Sequence, residues 1–370
     1  MRQALELARR GLYTTHPNPR VGCVLVRAGE VVGSGWHRRA GEAHAEVHAL
    51  AQAGELARGA TAYVTLEPCA HHGRTPPCAD ALIAAGVARV VVAMEDPFPQ
   101  VAGAGLARLR AAGIAVDVGV EAAAAAELNA GFISRQTRQR PWIRVKLGVS
   151  LDGRCALADG RSQWITSAQA RADVQHWRAC SSAIVTGIGS VLADDPRLTV
   201  RLPDAGEHGT PERIVLDSHF RLPGRSRMLD EPGPILVVTG PVAPDRADLA
   251  GRVEQIMVPL HDGALHWSRL VFALAQRGHN ELLVEAGPRL AGAVIESGLV
   301  DELIWYLAPA FLGHAARPAL QMREPAGLDE LSRWSWHSID PVGPDLRLIL
   351  RPPPAAPTWS WTDPVRAPGC

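Results

Sequence analysis

The sequence predicts an α/β protein of two domains, and three observations lead there. Strand-like and helix-like segments alternate through both halves, the pattern of sheets covered by helices. The length of 370 residues suits about two domains at ~150 residues each. A polar, basic step, RQTRQRP at 135–141, separates two periodic regions. The predicted segments are therefore 1–140, 141–352 and a proline-rich tail, 353–370.

Apolar residues make up 47 % of the chain, enough for a core in each half. Formal net charge is zero with no dense Lys/Arg run, so no nucleic-acid partner is expected. The seven-residue basic step is the size of an ordinary solvated linker. The opening MRQALELARRGL has an amphipathic helical period and lacks the apolar centre of a signal peptide. No run of about 18 apolar residues exists, so no membrane span is expected. Six widely spaced cysteines fit a reducing, cytoplasmic setting better than a disulfide scaffold.

The first helix is expected over 2–12, stopped by His16-Pro17-Asn18-Pro19, where two prolines forbid helical hydrogen bonding. Asn18 is either a reader of a pyrimidine edge or part of an ordinary Asx turn. Segments 21–27 and 31–35 flank a turn containing Gly29 and predict a hairpin. His37 follows it, facing a site or solvent.

A helix over 44–53 carries His44 and Glu46, and TAYVTLE at 61–67 reads as a strand running into Pro68 and Cys69. Cys78 then opens a helix behind Pro76 and Pro77, where the helix N-terminus lowers a thiol pKa. His44, Cys69 and Cys78 can hold three corners of a zinc tetrahedron, leaving the fourth for a water that the metal makes acidic. Glu46 is then free to move protons from that water to a leaving amine, as in zinc-dependent nucleobase deaminases. A structural zinc knot is the competing reading, but it wants four protein ligands. His48, one turn from His44, is read as packing and not as a ligand. Eight residues separate the cysteines, against two in the compact deaminase signature. Arg74, in that loop, can grip a substrate phosphate or stand as a solvated charge.

A strand over ARVVVAM, a helix over 103–112, a strand over 114–119 and a helix over 121–138 complete the first half. HPNPRVGCV, GSGWHRRAGEAHAE, TLEPCAHHGRTPPC and MEDP together resemble the bifunctional riboflavin-biosynthesis deaminase/reductase family. That resemblance implies a cytidine-deaminase-like α/β/α fold for the first half, acting on a phosphoribosylated diaminopyrimidinone. It also implies zinc ligands His44, Cys69 and Cys78 with Glu46 as proton shuttle, and the longer cysteine spacing is normal for this family.

The second half begins with a strand over 142–149 and a tight turn at 150–153. A helix over 167–178 and a strand over 182–187 follow, then a Gly-rich turn into another helix. Strands over 212–217, 234–239, 253–258 and 280–286, with a helix over 266–276, continue an α/β domain whose ligands belong at the strand carboxyl ends. EAGPRLAG at 285–292 combines a glycine turn with proline at a helix start, where backbone N–H groups can cradle a phosphate; a plain αβ connection reads the same way. No GxGxxG motif marks a standard Rossmann unit.

VKLGVSLDGR, SQWIT, GIGSVLADDPRLTVR and VEAGPRLAGA are similar to the reductase half of the same family, implying a dihydrofolate-reductase-like fold over about 142–350 with NADPH as hydride donor. Carried over, the resemblance implies that the nucleotide meets Val149, Trp164, Ser190, Asp194, Ser218 and the turn Gly287, Pro288, Arg289, Leu290, Ala291, Gly292 and Ala293. The substrate and its phosphate would meet Ser162, Arg178, Leu198, Arg201 and Glu285, with Lys146 as a further contact and Asn18, His37 and Arg74 at the first site. Chemically, the two arginines fit a phosphate, Glu285 fits sugar hydroxyls and Trp164 offers a flat apolar surface, though each can also be structural. The tail, with Trp359 and Trp361, either docks on the body or a neighbouring subunit, or stays extended. The expected protein is thus a homo-oligomeric enzyme acting on a small phosphoribosylaminopyrimidine with Zn2+ and NADPH. A nucleoside or tRNA-base deaminase fused to an unrelated domain is the runner-up, and a zinc-stabilised binding module is third.

Overall fold

The computed structural model describes residues 1–70, 76–98, 101–202 and 207–353. The elements of the first half are α1 (Arg2–Arg9), β1 (Gly22–Arg27), β2 (Glu30–Trp36), α2 (Ala45–Ala53), β3 (Thr61–Val64) and α3 (Cys78–Ala85). They continue with β4 (Arg89–Val92), α4 (Ala104–Ala111), β5 (Ala115–Val118), α5 (Ala122–Leu128) and α6 (Ala130–Arg138). Next come β6 (Trp142–Ser150), β7 (Arg154–Ala156), α7 (Ala168–Cys180), β8 (Ala183–Gly187), α8 (Ile188–Asp194), β9 (Glu212–Leu216), β10 (Ile235–Thr239) and β11 (Glu254–Met257). The chain then forms β12 (Leu260–His261), β13 (Ala264–Leu265), α9 (Trp267–Gln276), β14 (Glu281–Glu285) and α10 (Pro288–Glu296). It closes with β15 (Glu302–Ala308), β16 (Arg317–Pro318), β17 (Ser335–Val342) and β18 (Asp345–Arg351).

Two units form: Met1–Ile143 with Arg171–Ala286, and Arg144–Ala170 with Gly287 onward. In the first unit, the N-terminal sheet runs β2-β1-β3-β4-β5. Its β1–β2 and β1–β3 pairs are antiparallel, whereas β3–β4 and β4–β5 are parallel. The β1–β2 hairpin turns through Ala28 and Gly29, both at positive φ (51° and 86°), as a two-residue primed turn requires. Helix α2 lies directly on β2. A Cβ on Gly33 would stand 2.2 Å from the Ala49 carbonyl oxygen and one on Gly35 2.5 Å from that of Ala45, so only glycine admits the helix. Leu25, Val64, Leu82, Val90 and Leu109 fill the core beneath.

The same unit contains the parallel strands β11-β10-β9-β8-β14, packed through Ile184, Val215, Leu222 and Val237. Near-continuous Val/Ile/Leu runs suit strands covered on both faces. The second unit pairs β6 with β15 in parallel, and β15-β18-β17 antiparallel. There Glu302, buried in β15, receives Arg144 Nε and Arg351 Nη2, each at 2.6 Å. That pairing is what lets a carboxylate begin a buried strand.

The expected helix over 121–138 is two helices. Asn129 interrupts it, its Oδ1 accepting from Arg20 N at 2.8 Å and its Nδ2 donating to Arg20 O at 3.0 Å. No helix among the described residues is long and apolar enough to cross a membrane. The tail residues Trp359 and Trp361 lie outside the described residues.

Candidate active site

The first site lies beyond the carboxyl end of β3. His44 caps α2 in an extended conformation, which leaves its imidazole outside the helix while Glu46 occupies the first turn. Cys69 follows the β3 strand by five residues, and Cys78 is the first residue of α3, behind Pro77 as its cap. The two cysteine segments are tied by Ala79 N donating to Cys69 O at 3.1 Å. Distances of 3.2 Å from His44 Nδ1 to Cys78 Sγ and 3.6 Å to Cys69 Sγ bring the three donor atoms together, all within 4.8 Å of one another. His48 does not belong to this cluster.

Electrostatics favour a cation here. Cys69 accepts a hydrogen bond from the Cys78 backbone N–H at 3.3 Å. Its pKa is pulled down to about 4, foremost by hydrogen bonding with the Cys78 thiol, while that of Cys78 is pushed up by the same contact. The His44 pKa is raised, first of all by its hydrogen bond with Cys69. One imidazole and two thiols that already share protons in this way are a donor set that fits Zn2+.

Glu46 is 3 % exposed, and its Oε2 has no hydrogen-bond partner among the described residues. Burial raises its pKa, so the carboxyl group can hold a proton more readily than a surface glutamate. It faces a cavity of about 420 Å³ that is also lined by Asn18, His37 and His44. Asn18 Nδ2 lies 3.1 Å from His37 Nε2, while His37 Nδ1 is 3.2 Å from Ala43 O. That pattern makes Nδ1 the protonated nitrogen and Nε2 the acceptor, and burial lowers the His37 pKa, keeping the ring neutral. Both residues line the cavity, and Arg74 lies outside the described residues.

Sequence reasoning missed Glu67, which lines the same cavity. Its carboxylate accepts four backbone N–H groups, from Asp96, Gly103, Gly105 and Leu106, at 2.8–3.3 Å. The signal was a charged residue inside an otherwise apolar strand end, TLEPC.

Of the residues expected at the second site, Arg178, Ser190, Asp194, Leu198, Arg201, Ser218 and Glu285 fall in the first unit. Arg178 on α7 donates to Glu285 at the end of β14 through Nε at 2.6 Å and Nη2 at 3.0 Å, and to Thr199 O through Nη1 at 2.9 Å. Its guanidinium fork is thus engaged by Glu285. Leu198 is buried at positive φ (52°), and exposed Arg201 is held by its backbone N–H to Gln175 Oε1 at 3.0 Å. Ser190 and Asp194 lie on α8, and Ser218 follows β9. In the second unit, Gly287 caps α10 with Pro288 at its first turn, leaving the residues through Ala293 as a helix N-terminal segment. Lys146 lies half-buried on β6, whereas the Val149 side chain is fully buried and the residue pairs with Leu307 of β15. Ser162 is half-buried and Trp164 is 67 % exposed.

The Arg178–Glu285 pair is only 11 % exposed on each side chain, so Glu285→Gln leaves a buried guanidinium short of its counter-charge. The expected loss is about 3 kcal/mol of stability, read as a lower urea midpoint with unchanged slope. A midpoint equal to wild type would show that the pair is solvated.

Residues 141–347 match the family described as the RibD C-terminal domain, and residues 1–94 match the cytidine and deoxycytidylate deaminase zinc-binding region. The riboflavin biosynthesis protein RibD of Escherichia coli (strain K12) is 51 % identical over 360 residues, covering 95 % of this chain and 98 % of the relative. The solved structure of Acinetobacter baumannii RibD, form 1, is 45 % identical with a TM-score of 0.89, covering 95 % of this chain and 98 % of that one. A Thermotoga maritima structure described as a diaminohydroxyphosphoribosylaminopyrimidine deaminase/5-amino-6-(5-phosphoribosylamino)uracil reductase is 31 % identical with a TM-score of 0.84 over 95 % of this chain and 97 % of that one. With a deaminase-like first half, a reductase second half and near-complete overlap with these relatives, the chain belongs to the RibD family of bifunctional riboflavin-biosynthesis enzymes, which join a zinc-dependent deaminase to an NADPH-dependent reductase.

Proposed function

We propose that the chain first deaminates 2,5-diamino-6-(5-phosphoribosylamino)pyrimidin-4-one and then reduces the ribosyl chain, giving 5-amino-6-(5-phosphoribitylamino)uracil. The observation that carries this reading is the convergence of His44, Cys69 and Cys78 beside buried Glu46 on a cavity of about 420 Å³. The activity named for the Thermotoga maritima protein supports the substrate.

His44, Cys69 and Cys78 would hold zinc, which when bound would supply an electrophile able to acidify water near neutral pH. Glu46 takes a proton from the attacking water and delivers it to the departing amine, so water and a C–NH2 group become a carbonyl and ammonia. Asn18, fixed by the acceptor nitrogen of His37, reads the pyrimidine edge, and Arg74 meets the substrate phosphate. NADPH supplies the hydride for the second step. There Lys146, Ser162, Arg178, Leu198, Arg201 and Glu285 hold the substrate, with the Glu285–Arg178 pair at the sugar-phosphate end. Val149, Trp164, Ser190, Asp194, Ser218 and the segment Gly287 to Ala293 hold the nucleotide. The two activities divide between residues 1–140 and 141–352, ahead of the tail 353–370.

We also infer a cytoplasmic, self-associating protein. Cys23 and Cys155, neither joined in a disulfide, support a reducing compartment, and exposed Trp336, Ile339 and Leu346 on the β17–β18 ribbon support contact with a second copy.

The test supplies the diaminopyrimidinone substrate and follows ammonia and NADPH separately. Chelation of the metal is expected to stop ammonia release while NADPH oxidation continues on supplied deaminated intermediate. NADPH consumption on the undeaminated substrate by metal-free protein would overturn the order of steps.

A further inference from the structure

The loop that brings Asn18 to the deaminase cavity is anchored on a strand of the segment matched to the reductase. Pro17, Asn18 and Pro19 all line the cavity. The Pro17 carbonyl accepts a hydrogen bond from Asn280 Nδ2 at 2.9 Å. Arg20 closes the loop, donating through Nη1 to Glu281 Oε1 at 2.7 Å and Leu128 O at 2.8 Å, and through Nη2 to Cys180 O at 3.2 Å. The side chains of Arg20 and Glu281 are 12 % and 4 % exposed, and Asn280 is 6 % exposed, so this anchor is built into the interior.

Helix α6 presses onto the same strand end. A Cβ on Gly131 would stand 2.3 Å from Glu281 Cγ and 2.7 Å from Asn280 O, so glycine is needed for the helix to approach. Asn280 and Glu281 stand at the start of β14, and the opposite end of that strand carries Glu285 in its pair with Arg178. One strand of the reductase segment therefore grips the deaminase loop at one end and belongs to the proposed reductase site at the other.

We propose that Asn280 and Glu281 are positioning residues for deamination: they fix loop 16–20 so that Asn18 stands at the cavity against His37. The inference rests on the reading of Asn18 as a substrate contact. Neither residue touches Glu46, His44, Cys69 or Cys78, which are set by β3, α2 and α3. Loosening the anchor therefore weakens substrate binding without changing the chemical step, the signature of a raised KM at nearly constant kcat.

The test uses the full-length, zinc-loaded protein. Asn280→Ala, Glu281→Gln and Asn18→Ala are assayed for ammonia release, and each is assayed for reduction of supplied deaminated intermediate. Asn280→Ala leaves the Pro17 carbonyl with only its 3.3 Å bond from Arg135 Nη2 and is expected to raise the deaminase KM roughly three- to tenfold, with kcat and the reductase reaction unchanged. Glu281→Gln is expected to do the same, and it decides the matter if Asn280→Ala fails to fold. If Asn18→Ala raises KM but neither anchor variant does, the anchor is idle and the inference falls while the reading of Asn18 stands. If Asn18→Ala leaves KM unchanged, that reading falls first and takes the inference with it. Parallel losses of both activities in the anchor variants would reduce Asn280 and Glu281 to structural cement and overturn the proposal.

Discussion

Glu46→Gln should retain its zinc, reduce the supplied deaminated intermediate at the wild-type rate, and lose ammonia release by roughly 10²- to 10⁴-fold, the range of a lost general acid/base. The substitution is nearly isosteric, so a 3 % exposed position is neither emptied nor overfilled. What disappears is the ability to accept and return a proton. Burial already raises the Glu46 pKa and leaves Oε2 without a partner among the described residues, a costly arrangement for a side chain with only a structural duty. Zinc content by atomic absorption and the two reactions assayed separately check the outcome. Metal loss would make Glu46 part of the metal's support, and undiminished ammonia release would remove it from the chemistry.

The deaminase centre was legible because its chemistry sits in short segments with strong local signals. A proline behind Cys78 starts α3, and alternation around Gly29 makes the β1–β2 hairpin, so the ligand-bearing elements follow from neighbours in sequence. The parallel strands β8, β9, β10, β11 and β14 were legible for the same reason, as apolar runs bounded by turn residues. The break between α5 and α6 was not, because it depends on Asn129 binding the backbone of Arg20, 109 positions away. Propensity favours an unbroken alanine-rich helix, and the tertiary bonds override it. Nor does sequence announce that Arg178 spends its fork on Glu285: two residues separately suited to a phosphate and to sugar hydroxyls prove to be each other's partners.

Glu67 was the largest omission, and Glu67→Gln should lower stability by roughly 3 kcal/mol, with Glu67→Ala costing more. Its Oε1 accepts from Gly105 and Leu106, and its Oε2 from Gly103 and Asp96. Three of those donors belong to the start of α4, whose cap Gly103 has no side chain to satisfy them. A carboxylate supplied from β3's end thus does the capping and meets the positive end of the helix dipole. In Glu67→Gln one oxygen becomes an NH2 group facing two N–H donors, so two buried donors are orphaned and a charge is lost. The same bonds hold Asp96 and the start of α4, near Phe98 and Val101 of the cavity wall, and Cys69 lies only two residues beyond Glu67. Deaminase KM and zinc affinity should therefore both worsen below the melting transition, while reduction of the supplied intermediate continues. A thermal midpoint within a degree of wild type, with unchanged deaminase KM, would mean that water replaces the carboxylate at α4 without loss, and that the wall of the cavity is held by packing alone.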